Sequence, residues 1–153
     1  MIDRSSQKRS LQITILNSEF KQNMHYFMTA EFEGNSGVRR RTDISAKVPN
    51  PVFALNKFFL PVGDETLTVY PQLIFHTFAM VSREENMTEE DIYSKAKLLG
   101  TSTIDMTHLI QEELGSVALS RKPVKRKLQF GRVRDRGTPE ETEVVVGRAT
   151  VEL

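Results

Sequence analysis

The sequence contains no cysteine. A disulfide scaffold, a thiol nucleophile and a cysteine-built zinc site are therefore excluded. It also lacks any run approaching the roughly 18–20 apolar residues of a membrane-spanning helix. The first ten residues, MIDRSSQKRS, hold no apolar stretch of the kind that opens a secretory signal. A reducing, intracellular setting is the expectation, and the glycosylation pattern at Asn86 to Thr88 is read as chance. Overall charge is nearly absent too: 21 Lys and Arg stand against 20 Asp and Glu, a net +1. No global field exists, so an electrostatic partner must be sought in local patches.

The usual catalytic motifs are missing as well. There is no glycine-rich phosphate loop, no G-x-S-x-G and no H-E-x-x-H. The histidines, His25, His76 and His108, lie on separate segments with no hydroxyl or carboxylate at a motif spacing. His76, inside an apolar run, reads as structural, and His108 as a surface residue. We therefore expect no enzymatic activity and no cofactor.

What is present is an ordinary globular composition. Of 153 residues, 39% are apolar and 27% charged, enough for one domain to bury a core without metal or disulfide. Short alternating runs dominate. Leu11, Ile13 and Ile15 alternate with Gln12 and Thr14, and Tyr26 to Phe32 forms a second run closed by a Gly34 to Gly37 turn. Val38 to Ser45 places Val38, Thr42 and Ile44 on one face and Arg39, Arg41 and Asp43 on the other. Phe58, Leu60 and Val62 share a face, and Leu73 to Val81, apolar apart from His76 and Thr77, is a central-strand candidate. Gly100 to Ile104, Val124 to Phe130 and Val144 to Leu153 complete eight strands. That pattern predicts an all-β, eight-stranded antiparallel sandwich.

Two segments read as helix. In Thr88 to Leu99, Thr88 is placed to cap, Asp91 sits three residues on, acids fill the first turn, and Ile92, Ala96 and Leu99 share a face. Asp105 to Leu114, ended by Gly115, is the second. Residues 1–10 read as a tail and residues 11–153 as a single domain with a helical insertion at about 84–99. Both ends lie close to predicted strands, so we expect a domain of a larger protein.

The order of these features resembles the C2 domain. Three stretches carry the likeness: the opening SLQITILNSEF; NPVFALNKFFLPV (Asn50 to Val62), similar to the family's Asn-Pro-x-Trp corner with Phe53 in the Trp position; and LLGTSTIDMTHL (Leu98 to Leu109). The closing GRATVEL matches the permutation that begins with SLQITIL. Independently of the family, Pro51 fixes φ and biases Asn50 toward extended backbone, letting Phe53 plug one end of a core.

The resemblance implies a docking module, and in calcium-binding members a set of Asp ligands at one end of the sandwich. Here Ala79 and Val81 stand where an Asp-x-Asp pair is found, and Met24-His25-Tyr26 stands for Asp-Pro-Tyr. Calcium binding at the family's usual site is not expected. Nor is any other metal.

Charge is segregated locally. Arg121 to Arg136 holds eight basic residues and one acid, whereas Ser82 to Glu113 holds eight acids and three bases. The resemblance places Arg39 and Arg41 on a strand that binds anionic lipid in many C2 domains. We expect Arg39, Arg41, Lys125 and Lys127, with Arg121, Lys122, Arg132 and Arg134 nearby, to form an outward basic face. It would engage an anionic or phosphoinositide membrane or an acidic protein partner. An acidic insertion at the loop end would repel a bilayer there, which directs membrane contact to the strand face. The alternative is a protein-binding scaffold domain, using Phe20, Met24, Met80 and Met87 as docking loops. Nucleic acid is not expected, because basic strands are not interleaved with exposed aromatics. A nuclear import signal at Lys122 to Lys127 is not expected either, since the segment falls in a strand. The predicted location is cytoplasmic, peripheral to membrane or cytoskeleton.

Overall fold

β1 (Arg9–Phe20) begins with the expected alternation, Leu11, Ile13 and Ile15 facing inward. A bulge between Ile15 and Asn17 then shifts the register. One extra residue reverses the phase of a two-residue repeat. Ser18 and Phe20 therefore turn inward, and the strand runs five residues past its alternating stretch. β2 is His25–Phe32, β3 Arg40–Arg41, β4 Lys57–Val62 and β5 Gln72–Met80. A helix, α1 (Glu89–Lys95), precedes β6 (Lys97–Asp105), β7 (Lys125–Arg134) and β8 (Thr142–Glu152). The computed structural model describes residues 9–33, 39–62, 72–106, 124–134, 137–139 and 142–153. The expected helix from Asp105 to Leu114 lies outside them beyond Met106.

The strands run in the order β3-β2-β5-β6-β7-β8-β1-β4, every pairing antiparallel. β6 and β7 are joined by a single residue pair, Thr101 with Gly131. That thin seam divides the ladder into two layers, β3-β2-β5-β6 and β7-β8-β1-β4. β3 and β4 meet along the far edge. Between the layers lies one core: Ile13, Ile15 and Leu60 from one, Met28, Leu73 and Phe75 from the other, with Phe130 and Val151. The architecture is the expected eight-stranded antiparallel sandwich.

The corner after β3 behaves as its proline predicts. Phe53 is buried in the core, Ser18 Oγ donates to Pro51 O at 2.9 Å, and Phe20 N donates to Pro49 O at 2.7 Å. α1 is shorter than its sequence pattern. Its capping box is complete: Asp91 N donates to Thr88 Oγ1 at 3.1 Å and Thr88 N to Asp91 Oδ2 at 3.3 Å. The helix stops at Lys95, because Lys97 and Leu98 pair with Ala79 and Phe78 in the ladder. Of its expected apolar face only Ile92 is fully buried, while Leu99 packs on the main core from β6.

Candidate docking surfaces

α1 does not stand off the end of the sandwich. It lies on the outer face of the first layer, where Ile92 joins Phe27, Ile44 and Met80 in a second, smaller apolar cluster. Phe27 faces outward because its neighbours Tyr26 and Met28 face the main core. Phe27 stacks on Phe78 with centroids 5.0 Å apart, and Tyr93 of α1 meets both rings edge-on at 5.6 and 5.7 Å.

Two of the expected basic residues end up against this helix, Arg39 at its exposed flank and Arg41 half-buried. The Arg39 guanidinium carbon lies 4.2 Å from the centroid of the Tyr93 ring. Arg41 lies over Phe27 at 5.7 Å and makes a forked ion pair with Glu89: Nε donates to Oε2 at 3.0 Å, and Nη2 donates to Oε1. That pairing raises the Arg41 pKa and lowers that of Glu89. Arg41 does not face solvent, as strand alternation to Ile44 suggested. β3 ends at Arg41, so alternation does not carry through to Ile44, which packs under the helix rather than in the main core. Beside the pair runs a groove of about 900 Å³, its lining including Arg40, Arg41, Arg83, Glu84, Glu85 and Glu89.

Lys125 and Lys127 lie elsewhere. They project from the outer face of the second layer, opposite Leu128 and Phe130 of the core. Both are exposed, as is Arg126 between them, and none takes part in an ion pair among the described residues. In register, Lys125 faces Glu152, and Gln129 faces Arg148. Arg132 and Arg134 continue the same strand, while Arg121 and Lys122 lie outside the described residues. The single basic face expected from sequence is thus two regions, on opposite outer faces of the sandwich.

The expected docking loops are mostly core. Phe20 is 4% exposed and stacks on Tyr26 at 4.3 Å, and Met80 is 2% exposed in the second cluster. Neither presents a surface. Met24 and Met87 are half-buried, against the main and second clusters respectively. The apolar side chains that do face solvent near these loops are Val52 (82%), Leu55 (67%) and Val81 (71%). Phe53 is the core residue expected after Pro51; no sequence signal marks Val52, Leu55 or Val81 as exposed.

The positions where the resemblance would look for calcium ligands are otherwise engaged. His25 Nδ1 lies 2.9 Å from Ser45 O, the Tyr26 hydroxyl donates to Gln22 O at 2.6 Å, Ala79 is buried and Val81 is apolar. Of the acids after Val81, Glu84 pairs with Lys95 at 2.8 Å, Glu89 holds Arg41 and Asp91 caps the helix. Among the described residues no three histidine, aspartate or glutamate side chains converge as a metal site would need.

One polar group brought together by the fold has no sequence signature. On the outer face of the first layer, His76 Nδ1 lies 2.9 Å from Thr101 Oγ1 and Nε2 lies 3.4 Å from Glu31 Oε1. Burial lowers the His76 pKa, against the opposing pull of Glu31. The ring is therefore neutral at neutral pH, bridging strands β2, β5 and β6 as a structural histidine does.

No family model and no curated protein matches the sequence. Solved structures match the fold. A C2 domain of plant extended synaptotagmin 1 superposes with a TM-score of 0.59 at 12% identity, over 94% of this chain and 90% of that one. A C2 domain-containing protein superposes with a TM-score of 0.52 at 12% identity, over 95% and 88%. Human GIVD cytosolic phospholipase A2 matches at 0.52 and 11% identity over 94% of this chain, but over only 16% of its own length. The chain has the C2 fold. Among the described residues no helix is long and apolar enough to cross a membrane.

Proposed function

We propose that this chain is a non-enzymatic docking module of a larger cytoplasmic protein, holding it to an anionic membrane without calcium through the outer face of β7. The observation that carries this reading is that Lys125 and Lys127, with Arg148 of β8 on the same outer face, are exposed and outside every ion pair of the described residues. A cation near an anionic leaflet contributes about 1 kcal/mol. Three of them, Lys125, Lys127 and Arg148, give a reversible, salt-sensitive contact. Arg41 contributes little to this contact while Glu89 holds it, and Arg39 and Arg40 lie on the other layer. Calcium independence is supported by Ala79 and Val81 at the ligand positions and by the prior engagement of Glu84, Glu89 and Asp91. Sedimentation with phosphatidylserine vesicles tests the reading. Wild type should sediment at low salt and be released at high salt, with or without a chelator. The change Lys125→Glu/Lys127→Glu should abolish binding, and unchanged binding in that variant sinks the reading.

A second reading rests on Val52, Leu55 and Val81, the most exposed large apolar side chains among the described residues. In that reading the domain is a scaffold that binds protein through its loop end. Val52→Asp/Leu55→Asp would then remove a protein partner recovered by the wild type from its native cells. Recovery of that partner by the variant rules the loops out.

A further inference from the structure

α1 meets the arginines at β3 with the chemistry an outside ligand would need: a carboxylate for Arg41 and an aromatic face for Arg39. We infer that α1 is an internal occupant of this second basic face, holding Arg41 in its ion pair and the Arg39 guanidinium against Tyr93, and so withholding both from an anionic membrane until the helix lifts, while Arg40 stays exposed. The inference rests on the proposal that the domain docks on such membranes, and adds a regulated surface to the standing one on β7.

Three features make the helix displaceable. It is seven residues long, far below the length at which a helix persists unaided. Its only fully buried side chain, Ile92, enters a cluster separate from the main core, so lifting it leaves the sandwich packed. Its approach runs through exposed residues 81–86, with Asn86 at a φ of 61°. Such a segment, with few buried contacts, belongs to the low-stability end of a fold and opens without global unfolding. Lifting it withdraws Glu89 from Arg41 and the Tyr93 ring from Arg39. Arg39 and Arg40, both already exposed, are then joined by an Arg41 that Glu89 no longer neutralises.

The test compares the full chain with a variant in which residues 84–96 are replaced by a glycine-serine linker of equal length. Binding is read on phosphatidylcholine vesicles with and without phosphatidylserine. Two freed arginines predict binding to the anionic vesicles tighter by about tenfold or more, with no change on neutral ones. Adding Arg39→Gln/Arg41→Gln should remove the gain. A control carrying Glu85→Gln/Glu90→Gln, which loses acid charge but keeps the helix contacts, should gain far less. The inference is overturned if the linker variant binds no more tightly than wild type, or if its gain survives Arg39→Gln/Arg41→Gln. It is also overturned if the control gains as much. The β7 proposal is read separately: it falls if Lys125→Glu/Lys127→Glu leaves wild-type binding intact, whatever the linker does. Absence of binding by both proteins overturns both.

Discussion

Arg41 and Glu89, 48 positions apart in sequence, form the contact that fastens α1 to the sheet. The Glu89 side chain is largely exposed, and solvent screening limits such a pair to about 1 kcal/mol or less. Its effect is therefore local. Glu89→Gln should accelerate amide exchange over residues 89–96 while leaving the thermal midpoint nearly unchanged. The folded pKa of Glu89 lies below the usual 4.5, so its contribution is complete above that value and is lost as pH falls through the folded one. Acid should thus loosen α1 in wild type, and the variant should show a weaker response. Equal exchange in both proteins at neutral pH would remove the pair from this role.

The two apolar clusters should differ in what they support. Phe75 is fully buried in the main core, and Phe75→Ala should cost about 3–5 kcal/mol by urea unfolding. Ile92→Ala should cost about 2 kcal/mol at most, the lower end for such a truncation, because the surrounding helix can settle into the space. Exchange protection should fall in α1 and not in β5. A global loss from Ile92→Ala matching that from Phe75→Ala would show that the clusters are one cooperative unit.

Gly147 lies against Phe20 in the β1–β8 ladder. A Cβ there would sit 2.1 Å from Phe20 Cδ1 and 3.0 Å from Glu19 O. Phe20 has little freedom to move, being stacked on Tyr26 and close to Phe130. Gly147→Ala should therefore destabilise by about 1–3 kcal/mol, the usual range for overpacking. Phe20→Leu in the same chain should recover part of the loss. An Ala variant as stable as wild type would contradict the packing at this edge.

His76 supplies a pH dependence of its own. Burial depresses its pKa below the ordinary 6.5, so the unfolded chain takes up a proton before the folded one. Stability from this site is complete above 6.5 and falls as pH drops from 6.5 toward the depressed value. His76→Gln should flatten the denaturation midpoint across that window. A variant whose midpoint follows wild type through the same pH range would assign the dependence to other groups.

Much of this organisation can be read from local chemistry. Alternation at Leu11, Ile13 and Ile15 and at Phe58 and Leu60 marks strands, because a pleated backbone sends successive side chains to opposite faces, and the mostly apolar run from Leu73 to Val81 marks a central one. Thr88 and Asp91 mark the start of α1, because a cap and its partner lie within one turn. Pro51 and Phe53 mark the corner for a similarly short-range reason. Misreadings arose where one residue changes the phase or ends a ladder: the bulge beyond Ile15 turns Phe20 inward, and the end of β3 at Arg41 lets Ile44 pack beneath α1.

The sequence by itself therefore determined which stretches become strands, where the helix begins and, for most strands, which side chains are buried. Only the tertiary structure decided which of those faces are neighbours. Arg41 and Lys125 both sit on basic strands, yet the chain order of the sheet puts them on opposite outer faces. The acids of α1 come to rest on the arginines at β3 rather than at the loop tips. Periodicity reports the inside and outside of a single element, since it follows from backbone geometry over a few residues. The meeting of Arg41 with Glu89 depends on strand order and on the rotation of a helix about its connection, and both are set by packing across the whole fold.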